Sequence, residues 1–350
     1  FLFKTICGHA DGCFTLGLKE NRAFVMTQSE FVRYYAFARQ ALVEALRLMG
    51  VGASDQVLVP SLICKDVLAS VHTLGATPVF YEVDRNLNPV GLDQISSSKA
   101  IIVVNYFGFA QDLTPFNEYC RRTGAVLVED NAHGYLSADP LGILLGTRAS
   151  VGVTSIRKTL RVPDGAILTV SPDVSVAQLS PQLPFTSKTL DVRWRMQIFL
   201  TSLGRALHLP LMDLLRSPVR WLRKLKTGSA LPVSKPGSEI ETIISTAPRQ
   251  SSMSRIQKLD SHLEITRRRD LYQIVSELAV KTSAVPVFNQ LPDFCSPYGF
   301  PFYGDAETAQ KLHLMTRRFG TEVIQWPELP QSVVETAPEH YKNLWLVNFL

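Results

Sequence analysis

The sequence predicts an α/β protein with a large, mainly parallel sheet and a small carboxyl-terminal α+β unit. Three observations predict it. Short continuous apolar runs alternate with stretches of helical period through the first half of the chain, the pattern of strands covered on both faces. An acid ends one such run and a lysine follows the next, as in open sheets that bind ligands at the carboxyl ends of their strands. After Pro181 and Pro184 the composition changes, and the residues beyond 284 mix strand-like runs with a single helix.

In chain order, residues 29–49 have the helix period. Phe31, Tyr34, Tyr35, Ala38, Leu42, Ala45, Leu46 and Met49 fall on one face, with Ser29 as cap and Gly50 as stop. Residues 56–59, 77–83, 100–105, 125–129, 150–154 and 166–170 read as strands, and 67–74 and 113–123 as helices between them. Residues 192–225 read as helical, apolar and basic, interrupted by Pro210 and Pro218, and 228–237 as a linker. Residues 251–280 read as one long amphipathic helix, followed by 284–302, a helix at 305–319 and a strand at 322–326. The expected division is a large domain over 1–245, with a basic helical insert at about 187–227, and a small domain over 246–350. The missing initiator Met and the abrupt end at Leu350 suggest a segment of a longer reading frame, with the small domain cut short.

A length of 350 residues, 46% hydrophobic and 19% charged, describes a globular protein with a sizeable core. The net charge of +5 is uneven. Nine Lys/Arg and two Asp lie between Lys188 and Lys226, which leaves 27 basic against 29 acidic residues elsewhere. That distribution argues against a nucleic-acid footprint for the whole chain. Five scattered cysteines, an odd number, fit a reduced, cytoplasmic protein. Cys7, His9 and Cys13 lack a fourth neighbouring ligand, so no metal site is expected. No signal peptide is visible, and no apolar run approaches the roughly 18 residues of a membrane span.

The chemistry concentrates in two segments, Val128-Glu-Asp-Asn-Ala-His133 and Ser155-Ile-Arg-Lys-Thr-Leu160. A carboxylate and a lysine at adjacent strand ends suit pyridoxal phosphate, whose lysine linkage is paired with an acid at the pyridinium nitrogen. Asp130 would keep that nitrogen protonated. Lys158 would hold the cofactor and move protons. Ala132 would let the ring lie flat, and the helix starting at Ala38 would receive the phosphate. Plainer readings stand beside these. Asp130 could cap the following turn, His133 could be structural, Ser155 a loop residue, Arg157 a solvated or ion-paired cation, and Cys64 a small buried hydrophobe.

Over about 31–170 and again over 251–349 the chain resembles the DegT/DnrJ/StrS family of sugar aminotransferases, a branch of the fold-type-I pyridoxal phosphate enzymes. The resemblance rests on Ala38-Arg-Gln-Ala-Leu42, Gln56-Val-Leu-Val-Pro-Ser61, Gly75-Ala-Thr-Pro-Val-Phe-Tyr-Glu-Val-Asp84 and Asn105-Tyr-Phe-Gly108. It continues in Glu129-Asp-Asn-Ala-His133, Lys158-Thr-Leu160, Asp164-Gly165, Arg268-Arg269 and Trp326-Pro327. It implies that Lys158 is the Schiff-base lysine and Asp130 the pyridinium partner. Ala132 would pack on the ring and His133 would bond its hydroxyl. Amides around Ala38 and Arg39, helped by Ser155, would hold the phosphate. The chain departs from the family pattern at Pro163-Asp164-Gly165-Ala166, at Val153, at Ile63-Cys64-Lys65 and near 249–252.

The resemblance further implies amino transfer, from a donor such as glutamate to a keto sugar nucleotide, for surface polysaccharide or glycan precursors, in a homodimer. Two other expectations remain open: another enzyme of this fold, a lyase or desulfurase, or a non-catalytic descendant that binds a membrane surface or regulates. The basic stretch 188–226 would lie peripherally on the inner face of a membrane, or pack as a helical arm on its own domain or a partner subunit.

Overall fold

A computed structural model describes residues 15–16, 24–25, 31–179, 181–186, 192–207, 209, 211, 214–215, 218 and 237–350. The Cys7, His9 and Cys13 grouping, the Ser29 cap, most of the 228–237 linker and much of the basic stretch beyond Ala206 lie outside the described residues.

The strands are β1 (Thr15–Leu16), β2 (Phe24–Val25), β3 (Phe31–Tyr35), β4 (Gln56–Pro60), β5 (Thr77–Val83), β6 (Pro89–Val90) and β7 (Ala100–Val104). They continue as β8 (Val126–Asn131), β9 (Val151–Ser155), β10 (Ala166–Val170), β11 (Val285–Pro286), β12 (Gly299–Tyr303), β13 (Glu322–Gln325) and β14 (Leu344–Asn348). Eight of them form one sheet in the order β3-β10-β9-β8-β7-β4-β5-β6. Its centre, β9-β8-β7-β4-β5, is parallel, while β10 runs antiparallel to both neighbours and β6 antiparallel to β5. A second, antiparallel sheet has the order β11-β12-β14-β13. β1 and β2 pair only with each other.

The central strands are apolar on both faces for a structural reason. All five residues of β7 are buried, and Val57, Leu58 and Val59 of β4 have no exposure. Each buried Val, Leu or Ile among them contributes roughly 1.5–3 kcal/mol by leaving water. Helix α1 (Ala38–Leu48) packs on β9 and β10, α2 (Lys65–Thr73) on β5, and α3 (Thr114–Thr123) on β7 and β8. Tyr341 joins the two sheets. Its hydroxyl accepts from Val83 N at 2.8 Å and lies 3.0 Å from Ser61 Oγ, and one apolar core runs through both.

Two expectations change. Residues 29–49 do not form one helix: Phe31–Tyr35 is a strand, paired antiparallel with β10 at the sheet's end, and the helix starts at Ala38. Phe, Val and Tyr suit a pleated surface as well as they fit a helical stripe, and the free edge of β10 decides between them. The helix expected over 251–280 is two, α5 (Gln250–Gln257) and α6 (Ser261–Ala279). Asp260 caps α6, accepting from Leu263 N at 3.1 Å, which starts a new helix instead of continuing the old one. The chain before them includes helix α4 (Val192–Ala206). Helices α7 (Ala306–Thr316), α8 (Gln331–Val334) and α9 (Glu339–Lys342) complete the second sheet's surroundings.

Candidate active site

Strands β8 and β9 are parallel neighbours in a register that sets Asp130 beside Val153 and Asn131 beside Thr154. Their carboxyl ends therefore deliver Asp130 and Ser155 to one place. Beyond Ser155 the chain turns tightly, with Thr159 and Leu160 amides donating to Ile156 O. The amides of Ile156 and Arg157 donate to Gly165 O. Gly165 has φ +130°, a conformation that side-chain-bearing residues avoid. Ile156, Leu160 and Val162 pack on Met253 and Ile256 of α5. The turn carrying Lys158 is thus fastened by hydrogen bonds on one side and by an apolar cluster on the other.

Asp130 is buried, and its Oδ1 accepts the Ala132 N–H at 2.8 Å. It caps that turn while lining the cleft, so the plain and the chemical readings of this residue hold together. Burial pushes its carboxyl above the usual range, against the attraction of Lys158.

His133 is buried between two rings. Tyr298 stacks on it at 4.6 Å with planes 1° apart, and Phe107 at 5.7 Å and 11°, while Trp326 meets it edge-on at 5.3 Å. Its Nδ1 accepts from Phe107 N at 3.3 Å, and its Nε2 lies 3.3 Å from Lys158 Nζ. Burial, reinforced by Lys158, holds its pKa well below the usual histidine value. A neutral ring whose Nδ1 accepts carries its proton on Nε2. The Asn105-Tyr-Phe-Gly motif builds this arrangement. Phe107 has φ +57°, a strained value for a bulky residue. A side chain on Gly108 would come within 2.9 Å of Ser296 O and 3.1 Å of His133 O.

Beneath the site Glu129 is fully buried. Arg148 Nη2 lies 2.7 Å from its Oε1, and Asn105 Nδ2 donates to the same oxygen at 2.8 Å. A charge buried beside Asp130 is thereby neutralised.

All seven residues anticipated for the site, Lys158, Asp130, His133, Ala132, Ser155, Ala38 and Arg39, line one cleft. Ala38 and Arg39 open α1, whose first turn has N–H groups without helical partners. Arg157 lines the cleft too, its guanidinium 5.2 Å from the Phe37 ring, with Arg39 5.7 Å from the same ring. Sequence reasoning missed Phe37 and Tyr298. Both are ordinary aromatics until the fold brings Phe37 to the cleft and stacks Tyr298 on His133, and neither stands in a recognisable pattern. The role of Arg268 was also hidden. It is fully buried and pairs with Glu264 at 2.7 Å. It donates to Pro297 O at 3.0 Å, Tyr298 O at 3.2 Å and Thr159 O.

The donor set fits pyridoxal phosphate. A buried carboxylate has one oxygen engaged by Ala132 and no other hydrogen bond among the described residues. A lysine amine, a small residue beside it and a helix amino end share its cleft.

Residues 28–177 match the model of the DegT/DnrJ/EryC1/StrS aminotransferase family. The L-glutamine:2-deoxy-scyllo-inosose aminotransferase of Streptomyces kanamyceticus is 32% identical over 142 residues, 38% of this chain and 33% of the relative. The dTDP-4-dehydro-2,3,6-trideoxy-D-glucose 4-aminotransferase of Saccharopolyspora spinosa is 33% identical over 98 residues, 26% of this chain and 25% of that protein. The matched stretches thus span only about a third and a quarter of these relatives. Among solved structures, the aminotransferase TlmJ of Streptoalloteichus hindustanus aligns with a TM-score of 0.54 at 21% identity, covering 91% of this chain and 79% of that one. Helicobacter pylori PseC aligns with a TM-score of 0.57 at 15% identity, covering 91% and 80%. These structural likenesses show a fold-type-I architecture, in a chain whose residues 28–177 are similar to the DegT/DnrJ/EryC1/StrS aminotransferase family.

Proposed function

We propose that this chain is a pyridoxal phosphate-dependent aminotransferase that moves an amino group, with glutamate as donor, to a keto sugar nucleotide for surface polysaccharide or glycan precursor synthesis. The observation that carries this reading is the meeting of Lys158, Asp130 and His133 in one cleft, with Lys158 Nζ 3.3 Å from His133 Nε2. The name of the Saccharopolyspora spinosa relative, a dTDP-sugar 4-aminotransferase, supports the sugar nucleotide. That of the Streptomyces kanamyceticus relative, which specifies glutamine, makes glutamine the donor to compare with glutamate.

Bound pyridoxal phosphate supplies an electron sink for the carbon that gains or loses the amino group. The chain's residues do the rest. The amides of Ala38 and Arg39, with Ser155, hold the phosphate at the positive end of α1. Asp130 is desolvated, and a cationic ring nitrogen is the partner that lets it stay ionised there. His133, kept from rotating by Phe107 and Tyr298, would offer its Nε2–H to the ring hydroxyl. Ala132 leaves the ring face clear. Lys158 would hold the cofactor through Nζ, and its amine, once freed, would take up and return a proton as general base. A homodimer, a cytoplasmic setting, peripheral membrane contact through 188–226 and a domain division near residue 245 belong to the same proposal.

The test is borohydride reduction of the chain with pyridoxal phosphate, followed by peptide mass mapping. The expected result is a stable pyridoxyl group on Lys158, absent from Lys158→Ala, together with transfer of labelled nitrogen from glutamate or glutamine to a keto sugar nucleotide. A chain that takes up no pyridoxyl group refutes the cofactor. One that takes it up at Lys158 but moves no label is another enzyme of the fold.

A further inference from the structure

Helix α4 carries its apolar side outward. Met196, Phe199 and Leu203 are 55%, 63% and 37% exposed, and Leu207, whose amide extends the helix by donating to Leu203 O, is 53% exposed. Their spacing of three, four and four residues puts them on one stripe. Of the eighteen large hydrophobic side chains that the described residues leave exposed, nine fall between Leu183 and Leu215. Apolar exposure concentrated in this way marks an interaction surface, unlike singly scattered hydrophobics. Just past α4, the described residues Leu209 and Leu211 lie at Gly204, off the stripe: Leu209 N donates to Gly204 O, and Leu211 approaches Gly204, a different side of the helix.

Charge chooses the partner. The stripe sits inside the segment 188–226, with nine Lys/Arg against two Asp, while the remainder of the chain is slightly acidic. Two copies meeting stripe to stripe would bring two such segments together, and like charges oppose that contact. The partner is therefore anionic where it meets the basic side chains and apolar where it meets the stripe. Fifteen residues of helix reach about 22 Å, short of the roughly 30 Å hydrocarbon core, and no helix among the described residues is long and apolar enough to cross a membrane. We propose that α4 lies in the plane of an anionic lipid leaflet, the Met196–Leu207 stripe among the acyl chains and the basic segment at the headgroups. This deepens, and rests on, the peripheral contact proposed above, and it does not depend on the chemistry of Lys158.

The test is flotation of the whole chain with phosphatidylcholine vesicles and with the same vesicles enriched in phosphatidylglycerol, at low and high salt. The wild type is expected to bind the anionic vesicles about ten-fold or more tightly than the neutral ones, with salt weakening the difference. The triple variant Met196→Ser, Phe199→Ser, Leu203→Ser alters only exposed side chains and is expected to lose about ten-fold or more of that binding. Absence of wild-type binding to anionic vesicles overturns the proposal. So does a triple variant that binds like wild type, or one whose defect is a fall in oligomer mass by light scattering, which would make the stripe a contact between copies. Pyridoxyl labelling at Lys158 runs in parallel: a chain that binds vesicles but takes up no label upholds the membrane contact and refutes only the cofactor.

Discussion

Arg268 donates from its buried guanidinium to the main-chain carbonyl of Thr159, the residue that follows Lys158. The same group holds the carbonyls of Pro297 and Tyr298, and Tyr298 is the ring stacked on His133. One side chain from α6 therefore braces together the lysine turn and the residue whose ring stacks on His133. Its charge is met by Glu264, whose pKa its two arginine neighbours hold below the usual range despite burial.

Arg268→Met leaves three carbonyls and Glu264 without this donor. Breaking a buried pair in this way costs about 3–5 kcal/mol, to be read from urea unfolding. Arg268→Lys keeps a positive charge for Glu264 but cannot fork to the carbonyls. It is expected to recover less than half of the lost stability and to label more slowly with pyridoxal phosphate than wild type.

The depressed pKa of His133 makes stability depend on pH. Below about pH 6.5 the unfolded chain binds a proton at this residue that the folded chain refuses. Stability is therefore full above that pH and falls as the pH drops toward the folded value. Against His133→Gln, wild type is expected to lose up to about 1.4 kcal/mol more per pH unit in that window. Denaturant titrations of the two proteins at several pH values measure the difference.

Asp130 has the opposite sign. Its raised folded pKa means that its contribution to stability is present below the unfolded pKa and lost as pH rises through the folded one. At neutral pH the carboxylate is a cost to the cofactor-free chain. Asp130→Asn keeps an acceptor for the Ala132 amide. It is expected to raise the thermal midpoint without cofactor while weakening pyridoxal phosphate retention about ten-fold or more. A variant less stable than wild type at pH 7 without cofactor would contradict this.

Gly152 lies in β9, three residues before the strand's end at Ser155, where a Cβ would stand 1.9 Å from Gly146 O. Gly152→Ala must push the Gly146 loop away from Thr169, whose hydroxyl donates to that same carbonyl. Overpacking of this kind costs about 1–3 kcal/mol. Because β9 leads into the Lys158 turn, the variant is also expected to slow labelling at Lys158.

Several elements were readable because their signal is local. β5 and β10 coincide with the apolar runs at 77–83 and 166–170, and α3 begins within one residue of its expected start. The Phe31–Tyr35 segment was not readable, since its aromatics satisfy a helical and an extended pattern alike and only pairing with β10 distinguishes them. The break between α5 and α6 had a cue, Asp260 three residues before Leu263, which the longer amphipathic pattern masked. In the cleft, Asp130, Ala132, His133, Ser155 and Lys158 stand within 29 positions at the ends of adjacent strands, and short spacing of chemically particular residues is what sequence displays well.

By itself, then, the sequence determined the alternation of strand and helix and the carboxylate, histidine and lysine of the cleft, because burial pattern and strand-end position are properties of neighbouring residues. Only the tertiary structure decided that Tyr298 and Phe107 stack on His133, that Trp326 lines the cleft and that Arg268 braces the lysine turn. Those contacts join residues as far as 193 positions apart, His133 to Trp326, and a contact at that range is selected by how two sheets pack around one core. No local preference of either residue encodes it.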